Sequence, residues 1–375
     1  MKEIGLYIHI PFCKQKCLYC DFNSYVCSDA QVDNYIEALL IEIRRYNKEH
    51  HFKYKTIYFG GGTPTFINYK YIGAIMQELQ PFIERDSEIS MECNPGTVNG
   101  ESLKQYKHMG INRLSIGLQA WQPELQKMLG RIHNTKQFLD NLEAACNAGF
   151  SNISIDLMFA LPDQSLDMWL ETVRNVTELD IKHISCYSLK IEEGTPFNKL
   201  YKENKLVLPD DELDREMYHK AAEILNQRGF KQYEISNFAV PGYECRHNLI
   251  YWQNEEYLGV GAGSHSKLNN IRFNNYKSLD TYIQAIKSGI YPVEERIVIN
   301  KKEDIWETII LTLRLNQGLD IKSFNEKYSV NFMVQYSDII KRLQQYKLVV
   351  LDGNRLRLTS LGMDLSNSVF IEFME

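Results

Sequence analysis

Only eight cysteines occur in 375 residues, too few for a disulfide-stapled scaffold. No run of about 18 apolar residues is present, so no membrane-spanning helix is expected. The opening MKEIGLYIHIPFCKQKC begins with one lysine and then an acid, and His9 and Pro11 break its apolar stretch, which makes a poor secretory signal. A reducing cytoplasm is the expected compartment. Positive charge is not in surplus either. Lys plus Arg number 42 against 48 Asp plus Glu, and the net charge of −6 offers nucleic acid or an anionic membrane no global attraction. Internal repeats and low-complexity segments are missing as well. At 44% hydrophobic and 24% charged residues the chain should fold, and its length suits one large domain with a smaller companion.

Short β-branched runs recur: Gly5–Ile10, Thr56–Phe59, Glu88–Glu92, Asn112–Gly117, Asn152–Met158 and His183–Lys190 read as strands. Between the first two, Ile36, Leu39, Leu40 and Ile43 follow helical spacing, and Ile72, Ile75, Met76 and Leu79 repeat it after the second. Repeated strand–helix units force parallel pairing, in a partial or full barrel or an open doubly wound sheet. Both architectures place loop chemistry at the C-terminal ends of the strands. A helix from Pro209 to Arg228 and a short run Gln232–Ile235 follow, and the pattern then turns irregular and aromatic through Tyr257. From Pro292 onward, helices are expected at Asp304–Leu313, Ile321–Lys327 and Val334–Gln345, then a hairpin of Leu348–Leu351 and Arg355–Leu358 around Asp352-Gly353-Asn354. That order suggests a winged-helix-like module. Without basic surplus, packing or docking is its expected role, and no nucleic-acid partner is expected.

The cysteines are unevenly spread. Cys13, Cys17 and Cys20 fall in one short loop directly after the first strand, with Cys27 close behind. Structural zinc normally takes four ligands, and no second CxxC pair exists to complete them. A redox dithiol of Cys17 and Cys20 would leave Cys13 without a role. An iron–sulfur cubane on three cysteines leaves one iron open to an outside ligand. Elsewhere, Gly60-Gly61-Gly62-Thr63-Pro64 ends the second strand, where glycines let backbone N–H groups approach a ligand, but no Gly-Lys-Ser/Thr follows to make a P-loop. Glu92 closes the third strand as a carboxylate able to accept from an ammonium or a ribose, with an ordinary surface acid as the alternative.

The CxxxCxxC spacing resembles the radical S-adenosylmethionine (SAM) superfamily. The longer string Tyr7-Ile-His-Ile-Pro-Phe-Cys13, with Cys20-Asp-Phe-Asn-Ser24, is similar to its HemN/HemW group of oxygen-independent coproporphyrinogen oxidases and relatives. The resemblance runs over essentially the whole chain. It implies a partial (β/α)6 TIM-like barrel over residues 1–236, a connecting region over 237–291 and a smaller C-terminal α+β domain, winged-helix-like, over 292–375. It also implies that Cys13, Cys17 and Cys20 hold a [4Fe-4S] cluster whose fourth iron is chelated by SAM, the source of a 5'-deoxyadenosyl radical on reduction. Gly61, Gly62, Thr63, Glu92, Gln119, Arg131 and Asp156 then match SAM contacts, and Tyr7 and Tyr19 match positions packed near it, an ordinary core aromatic being the alternative for either tyrosine. Arg131 is the natural charge-assisted partner for the SAM carboxylate.

One departure bears on activity. Coproporphyrinogen oxidases of this group continue the motif as CxC, whereas Phe22 stands two residues after Cys20, and with only six residues ahead of Tyr7 their longer N-terminal extension is not expected here. Phe22 with its neighbours, and Cys245-Arg-His247-Asn-Leu-Ile-Tyr-Trp252, which matches an HNxxYW motif, resemble instead the haem-binding HemW branch. That implies haem as cargo with His247 as a candidate iron ligand. It further implies delivery to acceptor proteins such as membrane-bound respiratory enzymes, and peripheral membrane contact during delivery. Cys245 offers a second donor, and His265 lies in another glycine-rich turn, Gly263-Ser-His-Ser266. An oxygen-independent coproporphyrinogen III oxidase and a sensing or assembly protein are the competing readings. The oligomeric state is not legible.

Overall fold

The computed structural model describes residues 2–374. Six strands, β1 (Glu3–Ile10), β2 (Lys53–Gly61), β3 (Ile83–Cys93), β4 (Arg113–Gln119), β5 (Asn152–Phe159) and β6 (His183–Ser188), lie side by side in chain order. Every neighbouring pair among them is parallel, and a helix follows each strand. β1 and β6 do not pair with each other: β6 meets β8 (Asn237–Ala239), itself beside β7 (Lys231–Gln232), and β1 meets β9 (Tyr257–Val260). The result is a partial (β/α)6 barrel.

Alternation along the strands builds its two faces. In β4, Leu114, Ile116 and Leu118 are buried in the apolar layer under the helices. Arg113, Ser115 and Gly117 point the other way and line a cavity inside the barrel. β5 and β6 repeat the pattern, with Ile155, Leu157, Ile184 and Cys186 toward the helices and Asp156, Met158, His183 and Ser185 inward. The helix Asp29–His50 shows how local signals fix an element: Ser28 and Gln31 form a capping box, and Ile36, Leu39 and Ile43 supply the buried stripe.

The stretch read from sequence as irregular is ordered. It contains the helix Arg246–Trp252 and β9, and beyond β9 the sheet continues antiparallel through β10 (His265–Leu268), β11 (Ile271–Asn275) and β12 (Val293–Val298). The barrel sheet therefore runs past residue 292, and the apolar core of the last segment starts at Ile305. That segment packs the helices Lys301–Leu313 and Ile321–Tyr328, with Phe332 and Phe370, on a small sheet of β13 (Leu319–Asp320), β14 (Val349–Asp352) and β15 (Arg355–Leu358). The expected helix Val334–Gln345 is instead two, Phe332–Gln335 and Ser337–Gln345, interrupted where Tyr336 turns its ring onto Phe332 and Phe373. Among the described residues no helix is long and apolar enough to cross a membrane.

Candidate functional site

Loops at the C-terminal ends of β1 to β6 enclose a cavity of about 350 Å³. Cys13, Cys17 and Cys20 reach it from the loop after β1, unbridged, and Gly61, Gly62 and Thr63 from the end of β2. Glu92, Gln119, Arg131, Asp156 and Tyr19 complete the set of sequence-selected residues on its wall. The glycines are required by proximity. A Cβ on Gly62 would stand 2.9 Å from the backbone of Phe12 and 3.0 Å from Cys13 Sγ, and one on Gly61, at φ +115°, would strike the His9 ring at 2.5 Å. Gln119 takes φ 70° where β4 slips register against β5, a conformation that costs an L-residue about 1–2 kcal/mol.

Polar groups tie the three loops together. Thr63 Oγ1 lies 3.5 Å from Cys13 Sγ and accepts from Asn94 Nδ2 at 2.7 Å. Arg131 donates to Cys17 Sγ at 3.6 Å and to Asn94 Oδ1 at 2.8 Å, while its Nε is buried with no partner among the described residues. Burial raises the thiols of Cys13 and Cys20, against hydrogen bonds from Thr63 and from the Phe22 backbone that act the other way. Glu92 accepts from Tyr58 at 3.2 Å and from the Gly61 N–H at 3.1 Å. Burial and then the neighbouring Asp156 charge push its carboxyl up to about 7. Asp156, held by Ser115 at 3.0 Å, is raised by burial too, so two carboxyls face one cavity with a reduced tendency to ionise.

A second cavity, also about 350 Å³, opens between the end of β1 and the turn from β9 to β10. Phe22, Gly61 and Glu92 border both cavities. Tyr7 belongs to this second wall and not to the first, with its hydroxyl 3.0 Å from His9 Nδ1. His265 is on it as well.

His247 is on neither. It is 1% exposed inside the barrel, in the helix Arg246–Trp252, which packs beneath the loops toward the N-terminal halves of β1 and β2. Its Nδ1 lies 2.8 Å from Thr56 Oγ1 and its Nε2 2.8 Å from Tyr251 Oη, so both ring nitrogens are engaged. Burial, then the Arg113 charge, lowers its pKa to about 3. The expected iron ligand thus lies buried with both ring nitrogens in hydrogen bonds, and Cys245 is likewise buried, 3.7 Å from Glu88. Glu88 caps this helix, accepting from the N–H groups of Arg246 and His247 at 3.1 Å each.

The radical SAM superfamily profile matches residues 7–176 and the HemN C-terminal domain profile residues 299–365. A heme chaperone HemW of Lactococcus lactis is 36% identical over all of this chain and 98% of its own length. That of Bacillus subtilis is 37% identical over 98% of each, and that of Escherichia coli 39% identical over 72% of this chain and 71% of its own. The chain belongs to the HemW family. Coproporphyrinogen III oxidase (HemN) of Escherichia coli, a radical SAM enzyme, superposes with TM-score 0.86 over 99% of this chain and 90% of its own, at 24% identity, which shows a shared fold.

Superfamily membership implies a [4Fe-4S] cluster and SAM for the HemW family. The donor set fits both: three unbridged thiols on one wall, and on the same cavity Arg131, whose guanidinium has a buried, unpartnered nitrogen and is suited to a carboxylate. Among the described residues no three His, Cys, Asp or Glu side chains converge on a single-ion site. A cubane does not ask for that, because each thiolate takes its own iron. The sequence reading missed Arg113, Ser115, His183 and Ser185, which floor this cavity. Their signal was present in the period-two alternation Arg-Leu-Ser-Ile-Gly and His-Ile-Ser-Cys, polar residues on the inward face of strands otherwise read as buried.

Proposed function

We propose that this protein is a haem chaperone that carries a [4Fe-4S] cluster on Cys13, Cys17 and Cys20, binds SAM in the first cavity and hands haem to acceptor proteins such as membrane-bound respiratory enzymes. The observation that carries this is full-length similarity to heme chaperones HemW combined with Phe22 at the position where oxidases of the fold place a fourth cysteine. When bound, the cluster supplies an open iron and a reducing electron for SAM. The chain's own part is positioning. Gly61 and Gly62 let backbone approach the ligand, Glu92 and Asp156 face its cationic and hydroxyl groups, and Arg131 faces its carboxylate. Thr63, Gln119 and Tyr19 complete the lining, while Tyr7 acts from the second cavity.

Two assays on cluster-loaded protein test the reading together. A haem titration should give a saturable Soret change. An anaerobic assay with reductant, SAM and coproporphyrinogen III should give no turnover to protoporphyrinogen. Catalytic turnover would replace the chaperone reading with the oxidase one.

SAM affinity should depend on pH through Glu92. Its carboxyl, raised to about 7, holds a proton below that pH and must release it to accept from the SAM ammonium. Affinity should therefore weaken as pH falls, by about tenfold per unit once well below 7. Calorimetry in buffers of different ionisation enthalpy should register proton release on binding at pH 6, and Glu92→Gln should flatten the profile. An equally steep profile in the variant would remove Glu92 from the ammonium site.

A further inference from the structure

We propose that His265 is the haem-iron ligand of this protein, with the porphyrin lying in the second cavity against Phe22 and its propionates turned toward Lys277. The inference rests on the haem-binding reading above and gives it a ligand, a ring face and an orientation.

An iron ligand needs an imidazole nitrogen with a free lone pair facing open space. Four histidines lie on or beneath the two cavities, and three are already spoken for. His9 Nε2 is 2.8 Å from the Asn23 carbonyl, which only accepts, so Nε2 carries the proton and Nδ1 accepts from Tyr7 at 3.0 Å. His183 lies 2.7 Å from Ser154 Oγ and 2.9 Å from Tyr233 Oη. His247 is closed off by Thr56 and Tyr251. His265, the first residue of β10, is exposed on the cavity wall, and among the described residues neither of its ring nitrogens has a hydrogen-bond partner.

The surroundings suit a porphyrin. Phe22 is 63% exposed on the shared rim, an apolar ring that a flat ligand would cover. Tyr251 and Tyr257, edge to face at 4.6 Å, add two further aromatic rings to the lining. Two cations stand beside this wall: Arg272 is in β11, the strand paired with β10, and the Lys277 carbonyl accepts from Asn23, a residue of the cavity lining. Arg272 is committed to Glu307 at 2.8 Å, whereas the Lys277 side chain is exposed and has no ion pair among the described residues, leaving its ammonium for a propionate.

The site is also rigidly built. Asn23 Nδ2 donates at 3.1 Å to both Ala262 O and Lys277 O, clamping the cluster loop onto the turn before β10. Gly263, at φ +76°, leaves room for that side chain, since a Cβ there would stand 2.6 Å from Asn23 Nδ2. The loop that carries Phe22 and the turn that leads into His265 are thereby tied together on one cavity.

The test is a haemin titration of cluster-loaded wild type, His265→Ala, His247→Ala and, as an exposed control, His108→Ala. Wild type should show a saturable one-to-one Soret change. His265→Ala should bind at least tenfold more weakly with a shifted Soret band and altered haem electron paramagnetic resonance, and added imidazole should restore the wild-type spectrum. Because His265 is exposed and unbonded, its removal should leave the fold, followed by circular dichroism, unchanged. His108→Ala, and His247→Ala where it folds, should keep the wild-type spectrum. Absence of a saturable change in wild type would sink the haem-binding reading itself. Saturable wild-type binding with an unaltered His265→Ala spectrum, or no rescue by imidazole, would sink the ligand assignment alone.

Discussion

Replacing any one of Cys13, Cys17 or Cys20 by Ala is expected to take the iron content of anaerobically reconstituted protein from about four per chain to near zero, with loss of the iron–sulfur absorbance and paramagnetic signal. The expectation follows from how few donors the cavity offers. Its wall holds only one other cysteine, Cys93, which lies at the end of β3 with its thiol buried 3.9 Å from the Asn94 carbonyl and pushed by burial up to about 12. A thiol so reluctant to ionise is a poor substitute ligand. Cys27, outside the cavity, is the control, and Cys27→Ala should load normally. Cys17→Ala has a second expected consequence, because Arg131 then loses its sulfur contact and the guanidinium is left with Asn94 and the Gly117 carbonyl. Retention of full iron and signal in all three variants would place the cluster elsewhere.

Much of this site was legible because it is local. Three cysteines in eight residues and three consecutive glycines announce themselves without tertiary knowledge, and the β-branched runs of β1 to β6 place them at strand ends. What the sequence hid is long-range. His247 beside Tyr251 and Trp252 reads as an iron ligand in a linear string, and no local pattern records that its Nδ1 partner is Thr56, 191 residues away. β10 to β12 escaped notice for a different reason. They are short, and the edge strand β12, Val-Glu-Glu-Arg-Ile-Val, has five of its six residues exposed, so neither alternation nor burial marks it. Their register comes from the neighbouring strands, which no local pattern records. The second cavity depends on those strands, and so it was invisible until they were in place.

Lys267→Met is expected to destabilise the protein by about 3–5 kcal/mol, the usual cost of removing one partner from a buried ion pair. The Lys267 side chain is 5% exposed in β10 and reaches Asp304, 2.8 Å away in the helix Lys301–Leu313, and also Asn254. Glu307 stands 3.8 Å off, and Tyr328 donates to the other Asp304 oxygen at 2.6 Å. Burial alone would raise Asp304, but the hydrogen bonds from Lys267 and Tyr328 outweigh it and hold the carboxyl below its usual value. A depressed carboxyl stabilises the fold above its unfolded pKa of about 4 and loses that contribution only as pH drops through the lower folded value, so the network stands intact at neutral pH. Without the ammonium, Asp304 keeps only the more distant Lys327, 3.8 Å away, while Glu307 keeps Arg272 at 2.8 Å. Urea unfolding should show the loss as a lowered midpoint, and the pairing Lys267→Met with Asp304→Asn should recover part of it. A midpoint within about 0.5 kcal/mol of wild type would mean the pair contributes nothing net. The network joins the barrel sheet to the C-terminal helices, and Lys267 is two residues from His265 on the same strand. Lys267→Met should therefore weaken haem binding as well, whereas His265→Ala should leave the urea midpoint unmoved, and that asymmetry separates the strand that holds the site from the side chain that uses it.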